Sequence, residues 1–396
     1  MWIAVFLSHP IQHFTPLWQA LSRQRGVTLK VFYYSDQAVK ASYDPDFGVT
    51  MAWDVDLLKG HDYEFLPRQW PTRSSLDYSW KGLNKNLRGS LEQGWDVAYV
   101  ADYAHVNNWA VAWHCRRMGI PLLCQIDSNF LAEKRKSRLR LVVKRPFVRT
   151  FFRGIAGGLA VGDHCRDYFL YYGMSPQRVF FCPIPVDVDR FQAAARSASA
   201  DQMAQLRQKY RLPEDKDLVI FSGKFTEGKR PCDLVRAMKL LVHSRAVAVF
   251  IGDGKLRPLL EREGEGRIII TGFVNQKEIP LLLSLGSLAV LTSEFDAHPL
   301  AVTEACALGL PVILSDTCGC WGPHDILRDG ENGLLYPCGN VPALAEKIGY
   351  LLGHPEVRAR FSKRAVELAS TQSPAEAARG LLAAAEAVKN QGAFRV

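Results

Sequence analysis

The sequence predicts two doubly wound α/β domains in tandem, on three observations. Short apolar runs alternate with segments of helical spacing, which is the rhythm of a parallel sheet covered on both faces. That rhythm pauses at a small, polar stretch, 186–205, and then restarts. The chain has 396 residues, more than a single core ordinarily holds, roughly 250–300 residues.

The first half opens with WIAVFLS (2–8), a buried strand. Helical spacing follows in TPLWQALSRQ (15–24), then a second strand in VTLKVFYYS (27–35). DVAYVAD (96–102), IPLLCQID (120–127) and GGLAVG (157–162) are further strands, with helices between. The domain junction falls in VDVDRFQAAARSASADQMAQ (186–205). Strands then recur at DLVIFSG (217–223), AVAVFIGDG (246–254), RIIITGF (267–273), SLAVLTS (287–293) and PVILSD (311–316). Two such domains imply a cleft between them, with ligands at the carboxyl ends of the strands. The expected boundaries are 1–190 for an N-terminal acceptor-binding domain and 191–370 for a C-terminal donor-binding domain. A C-terminal helix within 371–396 is expected to pack back on the N-terminal domain.

Composition sets limits on partners. The chain is 48% hydrophobic and 22% charged, as in a water-soluble globular protein, and its net charge of +9 favours anionic partners. Nine cysteines include no C-x-x-C pair, and Cys318 and Cys320 lack a zinc-spaced ligand set. Reduced thiols in a cytoplasmic protein are therefore expected. The opening MWIAVFLSHPIQHF has no basic n-region and meets Pro10, which argues against a signal peptide. The longest uncharged stretch, 279–293, is too short to span a bilayer, which needs about 20 apolar residues.

Chemistry concentrates in the second half. In SEFDAHPLAVTEACALGLPV (293–312), Asp296 lies in a loop at a strand's carboxyl end and Pro299 suits a first helical position. Glu304 falls just over a turn into that helix, with Gly309 as its C-terminal cap. The helix start offers free N–H groups to an anion, and a Glu facing the cleft there can accept from a vicinal diol. The plainer reading is that both acids complement the helix dipole, for roughly 0.3–1 kcal/mol each. Spacing alone leaves the two readings level. FSGKFTEGKRPCDLVRA (221–237) is a strand, a loop with Lys224, Lys229 and Arg230, then a helix. Such a loop either neutralises a diphosphate or is simply solvated. VFIGDG (249–254) ends a strand in a Gly-Asp-Gly turn. CGCWGPHDILRDGENGLLY (318–336) puts two glycines in a loop before another helix, where backbone N–H groups can meet a phosphate.

Taken together and in this order, these segments resemble the retaining glycosyltransferases of family 4, whose fold is GT-B, two Rossmann-like domains facing a cleft. SGKFTEGK, IGDGKLRPLL, the region from TGFVNQKEIP to LPVILSD, and DILRDGENGLLYPCGN carry the resemblance, strongly over about 215–345 and more loosely in the N-terminal half. The resemblance implies that Glu304 holds the ribose hydroxyls of a nucleotide-sugar donor and that Asp296 holds hydroxyls of the donor sugar. It implies that Lys229 contacts the diphosphate, with Lys224 standing where the family usually has Arg. It also implies substrate contacts from Gly223, His298, Pro299, Leu300 and Ala301. Three departures stand out. Asp at 296 has a shorter reach than the family Glu. Lys at 224 keeps the charge and loses the bidentate fork. The loop LSHPIQHFTPL (7–17) lacks the glycines often found there. In that loop His9 or His13 is a candidate for contact with donor or acceptor, with surface packing the alternative. Asp127 stands where many members carry a His near the anomeric carbon, and His105 is the second candidate for that role.

The implied reaction is retaining transfer by front-face attack, the leaving phosphate taking the acceptor's proton, so neither a metal nor a cofactor beyond the donor is expected. The D-x-D triplet in VDVDRF (186–191) falls at the domain junction and is not read as a metal motif. The acceptor implied is a glycan or lipid-linked sugar of the cell surface. EKRKSRLRLVVKRPFVRTFFRG (133–154) carries nine Lys or Arg against one Glu, with interleaved Leu, Val and Phe. This suits either an anionic membrane surface or a solvated helix with one face in the core. Peripheral attachment at the inner face of the membrane is the expectation. Nucleic acid is not expected, since no nucleic-acid motif accompanies the charge. A nucleotide-sugar epimerase and a non-catalytic nucleotide-sugar-binding scaffold are the competing functions; product analysis separates all three.

Overall fold

The computed structural model describes residues 1–39, 41–44, 48–70, 80–242, 244–264 and 266–390. Residues 45–47, and 391–396 of the expected C-terminal segment, lie outside the described residues. The chain forms two compact units.

The first unit comprises Met1–Ser42, Val55–Pro185 and Pro374–Val396. Its elements begin with β1 (Trp2–Leu7), α1 (Thr15–Ser22) and β2 (Thr28–Tyr33). The short strands β3 (Ser42–Asp44) and β4 (Val49–Met51) pair with each other, and Tyr43–Asp54 groups with the second unit. There Asn275 Nδ2 donates to the Ala52 carbonyl at 2.7 Å, and Lys277 N donates to Asp54 Oδ2 at 3.1 Å. The stretch 43–66 therefore divides between the units. Its last part is β5 (Asp62–Phe65), an edge strand of the first sheet.

The first unit continues with α2 (Leu87–Leu91), β6 (Val97–Ala101), α3 (Val106–Met118), β7 (Leu122–Ile126), α4 (Phe130–Lys134), α5 (Arg138–Arg153), β8 (Gly157–Ala160), α6 (Asp163–Tyr171) and β9 (Val179–Phe181). All seven sheet strands run parallel, in the order β5-β2-β1-β6-β7-β8-β9. Ile3, Val5 and Leu7 of β1 bury one face with Trp18, Val31 and Tyr33. Phe6 on the other face stacks on Phe32, centroids 5.0 Å apart.

The second unit starts at Val186, and the polar junction stretch is helical: α7 (Val188–Ser197) and α8 (Ala200–Tyr210). Ser199 and Gln202 form a capping box at the start of α8. Then come β10 (Leu218–Ser222), α9 (Pro231–Leu240), β11 (Val247–Ile251), α10 (Arg257–Glu263), β12 (Ile268–Gly272), α11 (Ile279–Ser284), β13 (Leu288–Leu291), α12 (Leu300–Ala307), β14 (Val312–Ser315), β15 (Gly333–Tyr336), α13 (Val341–Gly353) and α14 (Pro355–Ser370). The loop that holds 318–332 leads into β15, not directly into a helix. This sheet is also all parallel, ordered β12-β11-β10-β13-β14-β15.

Strand alternation divides the apolar runs between two cores. Leu218 and Ile220 join Val247, Val249, Val312 and Leu314 on one face. Val219 and Phe221 join Ala248, Phe250 and Ile313 on the other. Each strand is apolar throughout because helices cover both faces.

Finally α15 (Pro374–Asn390) returns to the first unit. Ala377, Ala378, Leu381, Ala384, Ala385 and Val388 are buried in the core that contains Leu17, Trp18 and Leu21 of α1. Its Gly380 passes so close to the β9 backbone that an added Cβ would lie 2.6 Å from the Phe181 carbonyl oxygen.

Candidate active site

In an open parallel sheet, ligands bind beyond the strand ends where the strand order reverses. In the second unit that point lies between β10 and β13. The loops after β10, β11, β13 and β14, four neighbouring strands, carry most of the expected donor-site residues.

The loop after β10 starts at Gly223, whose N–H donates to the Ile251 carbonyl at 3.0 Å. Phe225 N donates to the Asp253 carbonyl at 2.8 Å, which ties the Lys224 backbone to the Gly-Asp-Gly turn. Gly252 makes this fit possible. It has φ +142°, and an added Cβ would stand 2.0 Å from the Gly223 carbonyl oxygen. Asp253 holds the turn by accepting from Gly254 N at 2.8 Å and from Arg257 Nη1 at 2.6 Å. Gly252→Ala is expected to force the two loops apart and lower stability by about 3 kcal/mol. Thermal unfolding and donor titration check this; a variant matching wild type in both would mean the loops need no such contact.

Lys229 closes a short 3₁₀ turn, and Arg230 beyond it adopts φ +49° before Pro231 begins α9. The Thr292 hydroxyl, just after β13, reaches the Lys229 and Arg230 carbonyls at 2.7 and 2.9 Å. Glu294 N donates to the Gly228 carbonyl at 2.8 Å. These bonds stitch the β10 and β13 loops together and bring Lys229 Nζ onto Asp296 Oδ2 as a partly buried ion pair. Gly319 N, after β14, donates to the Asp296 carbonyl at 2.9 Å. The two residues expected to meet phosphate and sugar thus pair with each other.

Helix α12 follows directly. Pro299 is its N-cap, so no side chain caps the start, and Leu300 and Ala301 open the first turn. Glu304 is half-buried. Burial pushes its carboxyl up to about 7, and the Arg190 guanidinium pulls the other way. Arg190, on α7, is held by the Gln276 carbonyl at 2.6 Å and the Gln276 side chain at 2.8 Å. His298 is 6% exposed, and neither ring nitrogen has a partner among the described residues. Burial lowers its pKa to about 4, so the ring is neutral at pH 7. The buried Thr303 hydroxyl also lacks a partner among the described residues.

In the first unit, the corresponding residues follow β1, β6 and β7, again neighbours in the sheet. His9 Nδ1 is 2.9 Å from Ser8 Oγ, and burial lowers the His9 pKa to about 4. Burial lowers His13 to about 3, with His9 adding to the effect. Asp127 is exposed just past β7. His105 is buried as the N-cap of α3, its Nδ1 accepting from Asn107 N at 3.2 Å. Asp102, which drew no attention in the sequence, sits at the end of β6 with φ +67°. Its Oδ1 accepts from Ala104 N at 2.7 Å and His105 N at 3.0 Å. Burial raises its carboxyl to about 6, with the Asp127 charge contributing.

Among the described residues, no group of three His, Cys, Asp or Glu side chains is placed to hold a metal ion. No helix there is long and apolar enough to cross a membrane.

Two parallel sheets with interleaved helices form two Rossmann-like units, the components of the GT-B fold. Residues 202–368 match the family described as glycosyl transferases group 1. The protein is 28% identical to alpha-D-kanosaminyltransferase of Streptomyces kanamyceticus, over 68% of this chain and 70% of that one. It is 26% identical to the lipopolysaccharide core biosynthesis glycosyltransferase LpsE of Rhizobium meliloti (strain 1021), over 48% of this chain and 54% of the relative. Among solved structures, Anabaena Alr3699/HepE in complex with UDP superimposes with a TM-score of 0.72 at 17% identity, covering 97% of this chain and 99% of that one. At that identity the likeness concerns the fold.

Proposed function

We propose that the protein transfers a sugar, with retention and without a metal, from a nucleotide-diphosphate-sugar to a glycan or lipid-linked acceptor of the cell surface. The observation that carries this reading is the Lys229–Asp296 pair beside the start of α12, where the strand order reverses. On donor binding Lys229 turns to the diphosphate, and Asp296 is released to accept from a sugar hydroxyl. Glu304, one turn into α12, accepts from the ribose diol. Lys224, Lys229 and the helix start supply positive charge to the leaving phosphate as its bond to the anomeric carbon breaks. The acceptor oxygen bonds to the same face of that carbon, and its proton passes to the leaving phosphate oxygen. No dedicated base is needed. Asp127, His105 and His9 are the candidates for orienting the acceptor or the sugar.

The kinship with LpsE, a lipopolysaccharide core enzyme by name, supports a cell-surface acceptor, and the UDP held by the Anabaena protein supports a nucleotide donor. We place the protein in the cytoplasm, attached peripherally to the inner face of the membrane through 133–154. The test is product analysis by NMR after incubation with a panel of nucleotide-sugars and glycolipid acceptors. The anomeric coupling of the product should match that of the donor, and excess EDTA should leave turnover unchanged. An inverted product, or loss of turnover restored by a divalent ion, would overturn the retaining, metal-free reading. An epimerised donor without transfer would favour the epimerase.

A further inference from the structure

Helix α5 packs with an unusual distribution of side chains. Its inner face holds the buried Val148, Phe151 and Phe152 together with a charged clamp. Lys144 Nζ donates to Glu133 Oε1 at 2.8 Å, and Glu133 is itself buried. Glu133 also accepts from Lys136 at 2.6 Å and from the Tyr172 hydroxyl at 2.6 Å. The Lys144 ammonium lies 5.1 Å from the Tyr168 ring centre and 5.6 Å from that of Tyr172. This clamp fixes the rotation of α5 about its axis.

The opposite face is apolar and exposed. Leu139 is 75% exposed, Val142 and Val143 69% each, and Phe147 50%. Their spacing, i, i+3, i+4 and i+8, puts them on one side of the helix. Arg138, Arg140 and Arg145, all exposed, border this row, and exposed Lys134 and Arg135 precede it. Phe147 packs on Trp109 of α3, centroids 4.3 Å apart. One turn along α3, the exposed Trp113 carries the Arg117 guanidinium over its ring at 4.6 Å.

We infer that this face, Leu139, Val142, Val143 and Phe147 with the flanking arginines, docks on an anionic lipid bilayer. The inference deepens the membrane attachment proposed above and does not depend on the donor chemistry. An apolar row bordered by arginines matches an interface whose surface is negative and whose interior is hydrocarbon. A second copy of the chain fits poorly, because a symmetric contact would set arginine against arginine. The clamp keeps the row turned outward, ready to insert without rearrangement.

The experiment is co-sedimentation of the full chain with vesicles of phosphatidylcholine alone or mixed with phosphatidylglycerol, at two salt concentrations. Wild type should bind the mixed vesicles, more weakly at high salt, and should bind neutral vesicles little. Leu139→Glu/Val143→Glu should lower partitioning at least tenfold. Arg138→Gln/Arg140→Gln/Arg145→Gln should lower it and flatten its salt dependence. All replaced side chains are exposed, so thermal unfolding and donor turnover without vesicles should match wild type. That turnover also separates failure of this inference from failure of the transferase reading. Wild type that stays in the supernatant with mixed vesicles overturns the inference, as does a glutamate variant that sediments like wild type. A wild-type dimer that the glutamate variant dissociates, with no vesicle binding, would assign the face to self-association instead.

Discussion

Lys229→Ala is expected to lower kcat by about 10²–10³-fold, the loss typical when one donor to developing negative charge is removed. The ion pair with Asp296 sharpens this expectation. The substitution removes a cation from the leaving phosphate and also leaves Asp296 without its partner, so a carboxylate then faces the phosphate uncompensated. The double variant Lys229→Ala/Asp296→Asn should therefore lose less than the product of the two single losses. Residues in one ion pair typically couple by about 0.5–3 kcal/mol. Steady-state kinetics on the four proteins of the cycle measure it. Wild-type kinetics for Lys229→Ala would remove that residue from the phosphate site. Strict additivity would mean that the pair is not rearranged during turnover.

Glu304 gives the second large effect, visible in its dependence on pH. Its carboxyl is raised from 4.5 to about 7, burial being the cause. The folded protein thus holds a proton there that the unfolded chain loses near pH 4.5. The stability this group contributes is full below that pH and is lost as the pH rises through about 7. A diol-binding carboxylate must be ionised, so donor binding runs the other way. Affinity should rise between pH 6 and 8, with a proton released on binding near pH 7. Glu304→Gln should abolish both the pH dependence and the proton release. Glu304→Ala should weaken donor binding by about 100-fold, the loss of one or two hydrogen bonds to a charged acceptor at about 1.5–3 kcal/mol each. Calorimetry in buffers of different ionisation enthalpy reads both quantities. A pH-independent affinity in wild type would place the ribose elsewhere.

The interior strands are readable in the sequence because each is a continuous apolar run bounded by turn residues, as WIAVFLS and PVILSD illustrate. The edge strands β5, β9 and β15 are not. They have only three or four residues, too few for a run to stand out, and β5 is DYEF with its first two residues exposed. The helices α7 and α8 hide in a stretch rich in Ala, Ser and Asp, though the Ser199–Gln202 box at the start of α8 is a local signal. In the site, Lys229, Asp296 and Glu304 stand out by residue type at strand ends. The pairing of Lys229 with Asp296 spans 67 residues and follows from β10 lying beside β13, a fact of strand order that no local pattern holds. Arg190 acts on Glu304 from another helix, and Asp102 matters through a left-handed turn. Both depend on tertiary placement.

The return of α15 to the first unit has a consequence for how the protein is made. Residues 374–390 leave the ribosome only after the whole of the second unit has been synthesised. Until then the apolar surface formed by Leu17, Trp18, Leu21 and Val31 lacks the helix that covers it. The unit that starts first on the ribosome is thus completed last, and the second unit can fold while its predecessor still waits. During that interval the exposed surface is open to chaperones and to aggregation. A break in translation before residue 374 would leave a whole second unit joined to an unfinished first one.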